Sequence, residues 1–443
     1  MSAPLDGGRP AGWPAAARLL ARWLDQRERI DGLIDTLSAS LGGTERARCQ
    51  HLVFGVVRHY GRLDAALARL IAHPPRFSTR AVLFIAGFEL IEAAGTPEAD
   101  GLVAKIVHHA VEQTKALASP AEARLVNAVV RKLAGVLAAA KPPGAKATAG
   151  STGSPQAAEL AEYFSHPEWL VRAWLAQFGA EGTRALLEWN QQPATAYARW
   201  RGDATDTVPG FLKPTAWTGF FEIASGRWSE VEPLLKSGKI YVQDPGTRLA
   251  VELLAPKAGE SVLDLCAAPG GKSLMIADAM TSGRLVAVDL PSARVDRLKE
   301  NLARAVGVDV ALVQTDLLEN PAMSLREHKL PESYDAVLLD APCSNTGVMR
   351  HRADVKWRLQ EGDFKKHPKQ QLALLHAAAR LVAPGGRLVY STCSIDTEEN
   401  ERVIKAFFDS RAGGPFKLEA SAISYPWVTG HDGAGAFLLR RQG

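Results

Sequence analysis

At 443 residues and 47.6 kDa the chain exceeds what one hydrophobic core serves, so two or three domains are expected. Hydrophobic residues at 47% exclude a wholly disordered chain, and 52 Lys/Arg against 48 Asp/Glu, a net charge of +4, is too even to mark a partner class alone. Four cysteines without a Cys-x-x-Cys pair exclude a disulfide framework, and no apolar run approaches the ~18 residues of a membrane span, so a soluble cytoplasmic protein without a membrane partner is expected.

Residues 12–140 read as helix throughout. Leu52, Val53, Val56 and Val57 recur at helical spacing, and Leu63, Ala66, Leu67 and Leu70 repeat the pattern after a break expected near Gly61. Further helices are predicted from about 79 to 93, 99 to 117 and 120 to 137. Ser119-Pro120 reads as a helix start with proline in the first helical position. Residues 1–140 hold 17 Lys/Arg and 13 Asp/Glu, an excess that suits a nucleic-acid footprint and a solvated helix face equally well.

Residues 141–157 are small, polar and rich in Gly and Pro, the composition of a flexible linker. A small α+β subdomain is expected over 158–240, helical from about 159 to 189 and then mixed. From Ser261 onward the pattern alternates strand and helix. Strands are predicted at 261–265, 284–289, 309–314, 334–339 and 386–391, with helices at 292–306 and 364–382 between them. That alternation predicts a doubly wound, mostly parallel α/β sheet over 241–443, so the whole chain is multidomain, an all-α bundle joined to a Rossmann-like domain.

The first of these strands runs into Asp264-Leu-Cys266-Ala267-Ala268-Pro269-Gly270-Gly271-Lys272-Ser273, a Gly-rich turn that lets backbone pass close to a ligand. It is neither Gly-x-Gly-x-x-Gly nor a Walker loop, so dinucleotide and phosphate lose their usual signatures. The next strands end at Asp289, near Asp316 and at Asp340. Acids at successive strand ends suit a cationic adenosyl ligand better than a pyrophosphate; capping the following helix is the lesser reading for any one of them alone.

Cys343 and Cys393 lie just past the fourth and fifth strands. A lone cysteine there is as readily a small buried hydrophobe, but two with polar flanks at the ligand edge point to reactive thiols. Two thiols beside a cationic adenosyl group fit methylation of cytosine C5. That carbon is a poor nucleophile until a thiolate adds at C6, and the thiol must be eliminated afterwards.

The motifs Asp-Leu-Cys266-Ala-Ala-Pro-Gly-Gly-Lys272-Ser, Leu-Asp340-Ala-Pro-Cys343-Ser and Tyr-Ser-Thr-Cys393-Ser, with Glu398-Glu399-Asn400, resemble the RNA cytosine-5 methyltransferase family, and most of all its bacterial members acting on 16S rRNA. The helical region is similar to the NusB antitermination factor through Phe54-Gly55-Val-Val-Arg58 and Leu125-Val-Asn127-Ala-Val-Val-Arg131.

The resemblance implies an S-adenosyl-L-methionine-dependent enzyme forming 5-methylcytosine in small-subunit rRNA, a monomer with RNA and not DNA as partner. Cys393 would attack C6, Cys343 would assist breakdown of the adduct, and Asp340 and Lys272 would reach the target base. S-adenosylmethionine would lie along Cys266, Ala267, Ala268, Pro269, Gly270, Gly271 and Lys272, with Asp289 on the ribose, Arg294 nearby, Asp316 at the adenine and Asp340 near the methionine part. No metal is expected.

Arg350, His351, Arg352, Lys356 and Trp357, in the loop after Cys343, would hold phosphates and stack a base. The chain departs from the family at Ala198-Arg199-Trp200-Arg201, where Leu-Arg-(Val/Ile)-Asn is usual. The same chemistry on tRNA or another rRNA, and a non-catalytic RNA-binding or transcription adaptor, are the alternatives.

Overall fold

A computed structural model describes residues 11–94, 96, 99–140, 154–202, 205–319 and 321–443. The chain divides into two compact units, 1–193 with 349–358, and 194–348 with 359–443. Residues 141–153 of the linker read from sequence lie outside the described residues, and from Ser154 the chain is helical.

The first unit is built from helices α1 (Gly12–Gln26), α2 (Ile30–Asp35), α3 (Gly43–Ala68), α4 (Phe77–Ala93), α5 (Ala99–Leu117), α6 (Pro120–Ala139), α7 (Ser154–Tyr163) and α8 (Glu168–Gln191). Trp13, Leu20 and Trp23 of α1, Val53, Val56 and Leu63 of α3, and Leu83 to Ala86 of α4 are buried in one core. At the head of α6 the Ser119 hydroxyl accepts the Glu122 N–H, with Pro120 opening the helix, as the sequence predicts.

The break expected at Gly61 does not occur, and α3 runs through it. A Cβ there would stand 2.7 Å from the Trp357 ring, so glycine is needed for close approach and not for a bend. The boundary expected at 158 also shifts. Helices α7 and α8 fall in the helical unit because Leu160, Leu170, Val171 and Trp174 are buried there.

The second unit begins with a four-stranded antiparallel sheet, β1 (Tyr197–Trp200), β2 (Leu212–Pro214), β3 (Phe220–Ile223) and β4 (Ile240–Val242), in the order β2-β3-β1-β4. Arg199 and Arg201, in the stretch that departs from the family pattern, both bond the Asp278 carboxylate at 2.8 Å.

A seven-stranded sheet follows: β5 (Ser261–Leu265), β6 (Arg284–Asp289), β7 (Asp309–Gln314), β8 (Tyr334–Asp340), β9 (Val382–Thr392), β10 (Phe416–Ser424) and β11 (Ala434–Arg441), in the order β10-β11-β9-β8-β5-β6-β7. Strands β5 to β9 are parallel, while β11 runs antiparallel to both β9 and β10. Leu263, Leu265, Val286, Val288, Val337 and Leu339 enter the core on one face, and Val262, Leu285, Ala287, Ala336 and Leu338 the core on the other. That period of two explains why the strands read as near-continuous apolar runs. Each of the valines and leucines contributes about 1.5–3 kcal/mol on burial.

Candidate active site

Strand order reverses between β5 and β8, since β5 leads outward to β6 while β8 flanks its other side. In such a sheet the crevice for ligands opens at the carboxyl ends of those two strands. The turn leaving β5 occupies it. Cys266 (φ 60°) and Gly270 (φ 102°) both adopt left-handed backbone, and the Ala268–Pro269 bond is cis. A Cβ on Gly270 would stand 2.9 Å from Leu298 Cδ1, so only glycine brings the turn this close to the neighbouring helix. The Asn301 amide donates to Pro269 O at 2.7 Å and fixes the turn from outside.

The predicted cofactor residues spread along this edge. Cys266 to Gly270 form the turn, and Gly271 and Lys272 open the helix Gly271–Met280. Asp289 ends β6, is buried, and its Oδ2 accepts the Ala268 N–H at 2.8 Å. Arg294 is exposed just before the helix Val295–Leu302. Asp316, past β7, accepts the Leu318 N–H of its own turn at 2.8 Å.

Asp264 is fully buried in β5. Burial, opposed by a hydrogen bond from the Ser273 hydroxyl at 2.5 Å and reinforced by Asp340, pushes its carboxyl up to about 7. Its Oδ1 makes no hydrogen bond among the described residues. Burial, then Asp289 and Asp340, push the Cys266 thiol up, which keeps it neutral.

The four predicted catalytic side chains converge at the ends of β8 and β9. Asp340 ends β8, and its Oδ2 accepts from Lys272 Nζ at 2.7 Å. Against the desolvation that burial imposes, this carboxylate holds the Lys272 ammonium above its ordinary range. Asp340 pairs with Ser391 in the sheet register, so the loops after β8 and β9 leave side by side. Cys343 and Cys393 lie on those loops, both half-buried, with sulfurs 3.2 Å apart. The hydrogen bond to Cys393, and then burial, push the Cys343 thiol well up.

The two loops are bonded together from behind. Ala341 N donates to Ser391 O at 2.8 Å and Gly347 N to Cys393 O at 3.0 Å. The fully buried Glu399 carboxylate accepts the Ser344 N–H at 3.0 Å and the Gln371 amide at 2.7 Å, and Ser394 bonds Ser344, Thr346 and Asp396. Glu399 was legible as part of a motif but not as this brace. Asn345, which touches both cysteines, gives no signal in a single sequence.

In the segment after Cys343, Lys356, Trp357 and Arg350 are engaged within the protein and are not the free phosphate and base ligands expected, while Arg352 is exposed. Residues 349–358 belong to the helical unit. There Lys356 is 1% exposed and donates to Arg58 O at 2.9 Å, and the Trp357 indole donates to Val57 O at 2.7 Å. The Arg350 guanidinium lies over the Trp189 ring at 4.2 Å and donates to Pro193 O. Burial, then Arg58, hold the Lys356 ammonium well below its ordinary range.

A family model described as 16S rRNA methyltransferase RsmB/F matches residues 251–422, and a NusB family model matches residues 14–135. The ribosomal RNA small subunit methyltransferase B of Citrobacter koseri is 30% identical over 410 residues, 88% of this chain and 89% of its own. That of Sodalis glossinidius is 32% identical over 408 residues, 88% of each. The chain belongs to the ribosomal RNA small subunit methyltransferase B family.

Its architecture, a NusB-type helical domain followed by a mostly parallel α/β methyltransferase domain, is the one the sequence predicts. A solved protein named PH0851 shares the fold at a TM-score of 0.74 over all of both chains, with 23% identity. A methyltransferase homolog protein from Pyrococcus horikoshii matches at 0.54 and 25% identity over 65% of this chain and all of its own.

As a member of the small subunit methyltransferase B family the enzyme is an S-adenosylmethionine-dependent rRNA methyltransferase, and RNA is its substrate. The crevice fits that cofactor. The glycine turn allows close backbone approach, Asp289 uses one oxygen on the turn, and the unbonded Asp264 Oδ1 lies buried behind it. Among the described residues no helix is long and apolar enough to cross a membrane.

Proposed function

We propose that this chain makes 5-methylcytosine in small-subunit rRNA through a transient bond between Cys393 and cytosine C6. The observation supporting this most directly is the pair of thiols 3.2 Å apart beside the Lys272–Asp340 ion pair. When bound, S-adenosylmethionine supplies an electrophilic methyl group. The residues that would hold it are the turn from Cys266 to Lys272, Asp289, Arg294, Asp316 and Asp340.

Cys393 loses its proton and its sulfur bonds C6, which moves electron density to C5. The Lys272–Asp340 pair meets the cytosine edge near N3, where the ring takes up a proton. After C5 has gained its methyl group, N3 gives back its proton, a base takes the C5 proton, and the C6–sulfur bond breaks with its electron pair going to the Cys393 sulfur, which is then reprotonated. Cys343 suits this last step. The largest cause of its raised pKa is the hydrogen bond with Cys393, and that bond changes once the Cys393 sulfur is alkylated. A second thiol, on Thr-Cys393-Ser, supports RNA and not DNA as the substrate, and the target base must be unpaired or extruded to reach it.

The test is labelled methyl transfer to protein-free small-subunit rRNA, each reaction also run on a denaturing gel. Wild type transfers label, Cys393→Ala loses it by at least about a thousandfold, and Cys343→Ala accumulates a slow-migrating protein–RNA adduct. Full activity in Cys393→Ala overturns the nucleophile assignment, and label entering only another RNA overturns the substrate.

A further inference from the structure

We propose that Asn345 is a positioning residue for the methyl-transfer chemistry, holding the Cys393 thiol hydrogen on its side-chain oxygen in the resting enzyme. The inference rests on the reading of Cys393 as nucleophile and adds a residue that no motif marks.

Asn345 lies two residues past Cys343 with φ 61°, a left-handed conformation that asparagine adopts more readily than other residues with a Cβ. Two side-chain contacts tie it to the two cysteines. Its Nδ2 donates to Cys343 O at 2.7 Å. Its Oδ1 accepts from Cys393 Sγ at 3.2 Å. The first contact settles the orientation of the amide, because a carbonyl oxygen takes only a donor. Nδ2 must face Cys343 O, which leaves Oδ1 facing Cys393.

An oxygen lone pair in that place favours the thiol over the thiolate. The amide cannot turn to offer its N–H to an anionic sulfur without setting Oδ1 against Cys343 O. The backbone is equally fixed, since Gly347 N is bonded to Cys393 O and Ser344 N to Glu399.

The other groups facing the thiols act in both directions. The Lys272 cation, paired with Asp340 and close to buried Asp264, lies near the Cys393 sulfur. Cys343 bonds the Cys393 sulfur directly. Glu399, with His367 Nδ1 3.9 Å away, raises Cys343, and Asp396 is held behind by Ser394. Within this set Asn345 and Cys343 are the neutral groups that act on the attacking sulfur by contact, and only Asn345 offers it an oxygen acceptor. It holds that sulfur in one rotamer until the substrate arrives.

The test is the pH dependence of Cys393 alkylation by iodoacetamide in the full chain, read by mass spectrometry on the Cys393 peptide. Asn345→Gly removes the acceptor yet tolerates the left-handed backbone, and its midpoint falls by about half a pH unit or more. Asn345→Asp keeps the backbone but places an anion beside the sulfur, and its midpoint rises by a similar amount.

A purely structural role for Asn345 would not move the two variants in opposite directions, and unmoved midpoints in both overturn the proposal. An anion raises a neighbouring thiol in any case, so a glycine midpoint that does not fall overturns the proposal whatever the aspartate variant does, and if the glycine variant melts early the same fall is read in Asn345→Ala. Methyl transfer by Cys393→Ala, measured alongside, reports separately on the nucleophile. Retained transfer there removes that reading while the alkylation midpoints still report on Asn345.

Discussion

Two stretches follow β8 within twenty residues of each other, and both read from sequence as polar loops serving the chemistry. In the first, Asp340 to Thr346, the polar groups bond across to the loop of Cys393 and leave two sulfurs half-buried and adjacent. In the second, Met349 to Arg358, Lys356, Trp357 and Arg350 end on backbone carbonyls of Arg58, Val57 and Pro193 inside the helical unit. Residue type does not separate the two; what each donor finds as acceptor does. A lysine with a carboxylate partner, such as Lys272, keeps its charge where chemistry needs it. Lys356, given a carbonyl in a dry core, is driven toward its neutral form and becomes part of the packing.

The comparison breaks most sharply at Trp357. Its indole N–H reaches Val57 O, its ring meets Tyr60 edge-on at 5.1 Å, and the α3 glycine at 61 exists to admit it. Trp357→Ala should destabilise the helical unit by about 3 kcal/mol, and Trp357→Phe, which keeps the ring but loses the hydrogen bond, by about 1 kcal/mol. Denaturant unfolding followed by far-UV circular dichroism measures both. Binding of S-adenosylhomocysteine, which depends on the sheet unit, should be unchanged in either variant. If affinity falls along with stability, the segment does more than pack.

The same contrast shows what a single sequence could reveal. The five parallel strands were legible to within a few residues, because burial on both faces leaves few residue choices and the motifs sit at the strand ends. The convergence of Lys272, Asp340, Cys343 and Cys393 was legible for that reason too. The fate of Lys356 was not, since its acceptor lies 298 positions away in sequence and is a backbone atom with no residue signature. Asn345 was hidden for a related reason: its role depends on a backbone angle and an amide orientation that exist only once both loops are in place.

A pH-dependent effect is expected inside the sheet, at Asp264. Burial raises its pKa from 3.8 to about 7 in the folded chain, with the Ser273 hydrogen bond opposing and Asp340 reinforcing. Between those two values the folded state binds more protons than the unfolded one, so this group lowers stability as pH rises from about 4 to about 7 and adds no further slope above that. Asp264→Asn removes the titration. The stability of the variant relative to wild type should therefore grow across that window and then level off. Chemical denaturation at a series of pH values shows this directly, and a difference that stays flat from pH 4 to 7 would mean that Asp264 is ionised throughout.

The smallest expected effect separates two acids that look alike in sequence. Asp289 is buried at the end of β6 and fixes the turn through Ala268 N with one oxygen. Asp316 is only half-buried, and one of its oxygens is engaged by its own turn at Leu318 N. An asparagine at either place keeps the acceptor and removes the charge, so the comparison isolates what the charge does for the cofactor. Asp289→Asn should weaken S-adenosylhomocysteine binding by about ten- to a hundredfold, the range of a hydrogen bond to a buried charged group. Asp316→Asn should weaken it by no more than about fivefold, the range of a solvent-exposed charge. Titration calorimetry on the two variants ranks them. Equal losses would show that Asp316, despite its bond to the turn, meets the cofactor as closely as Asp289 does.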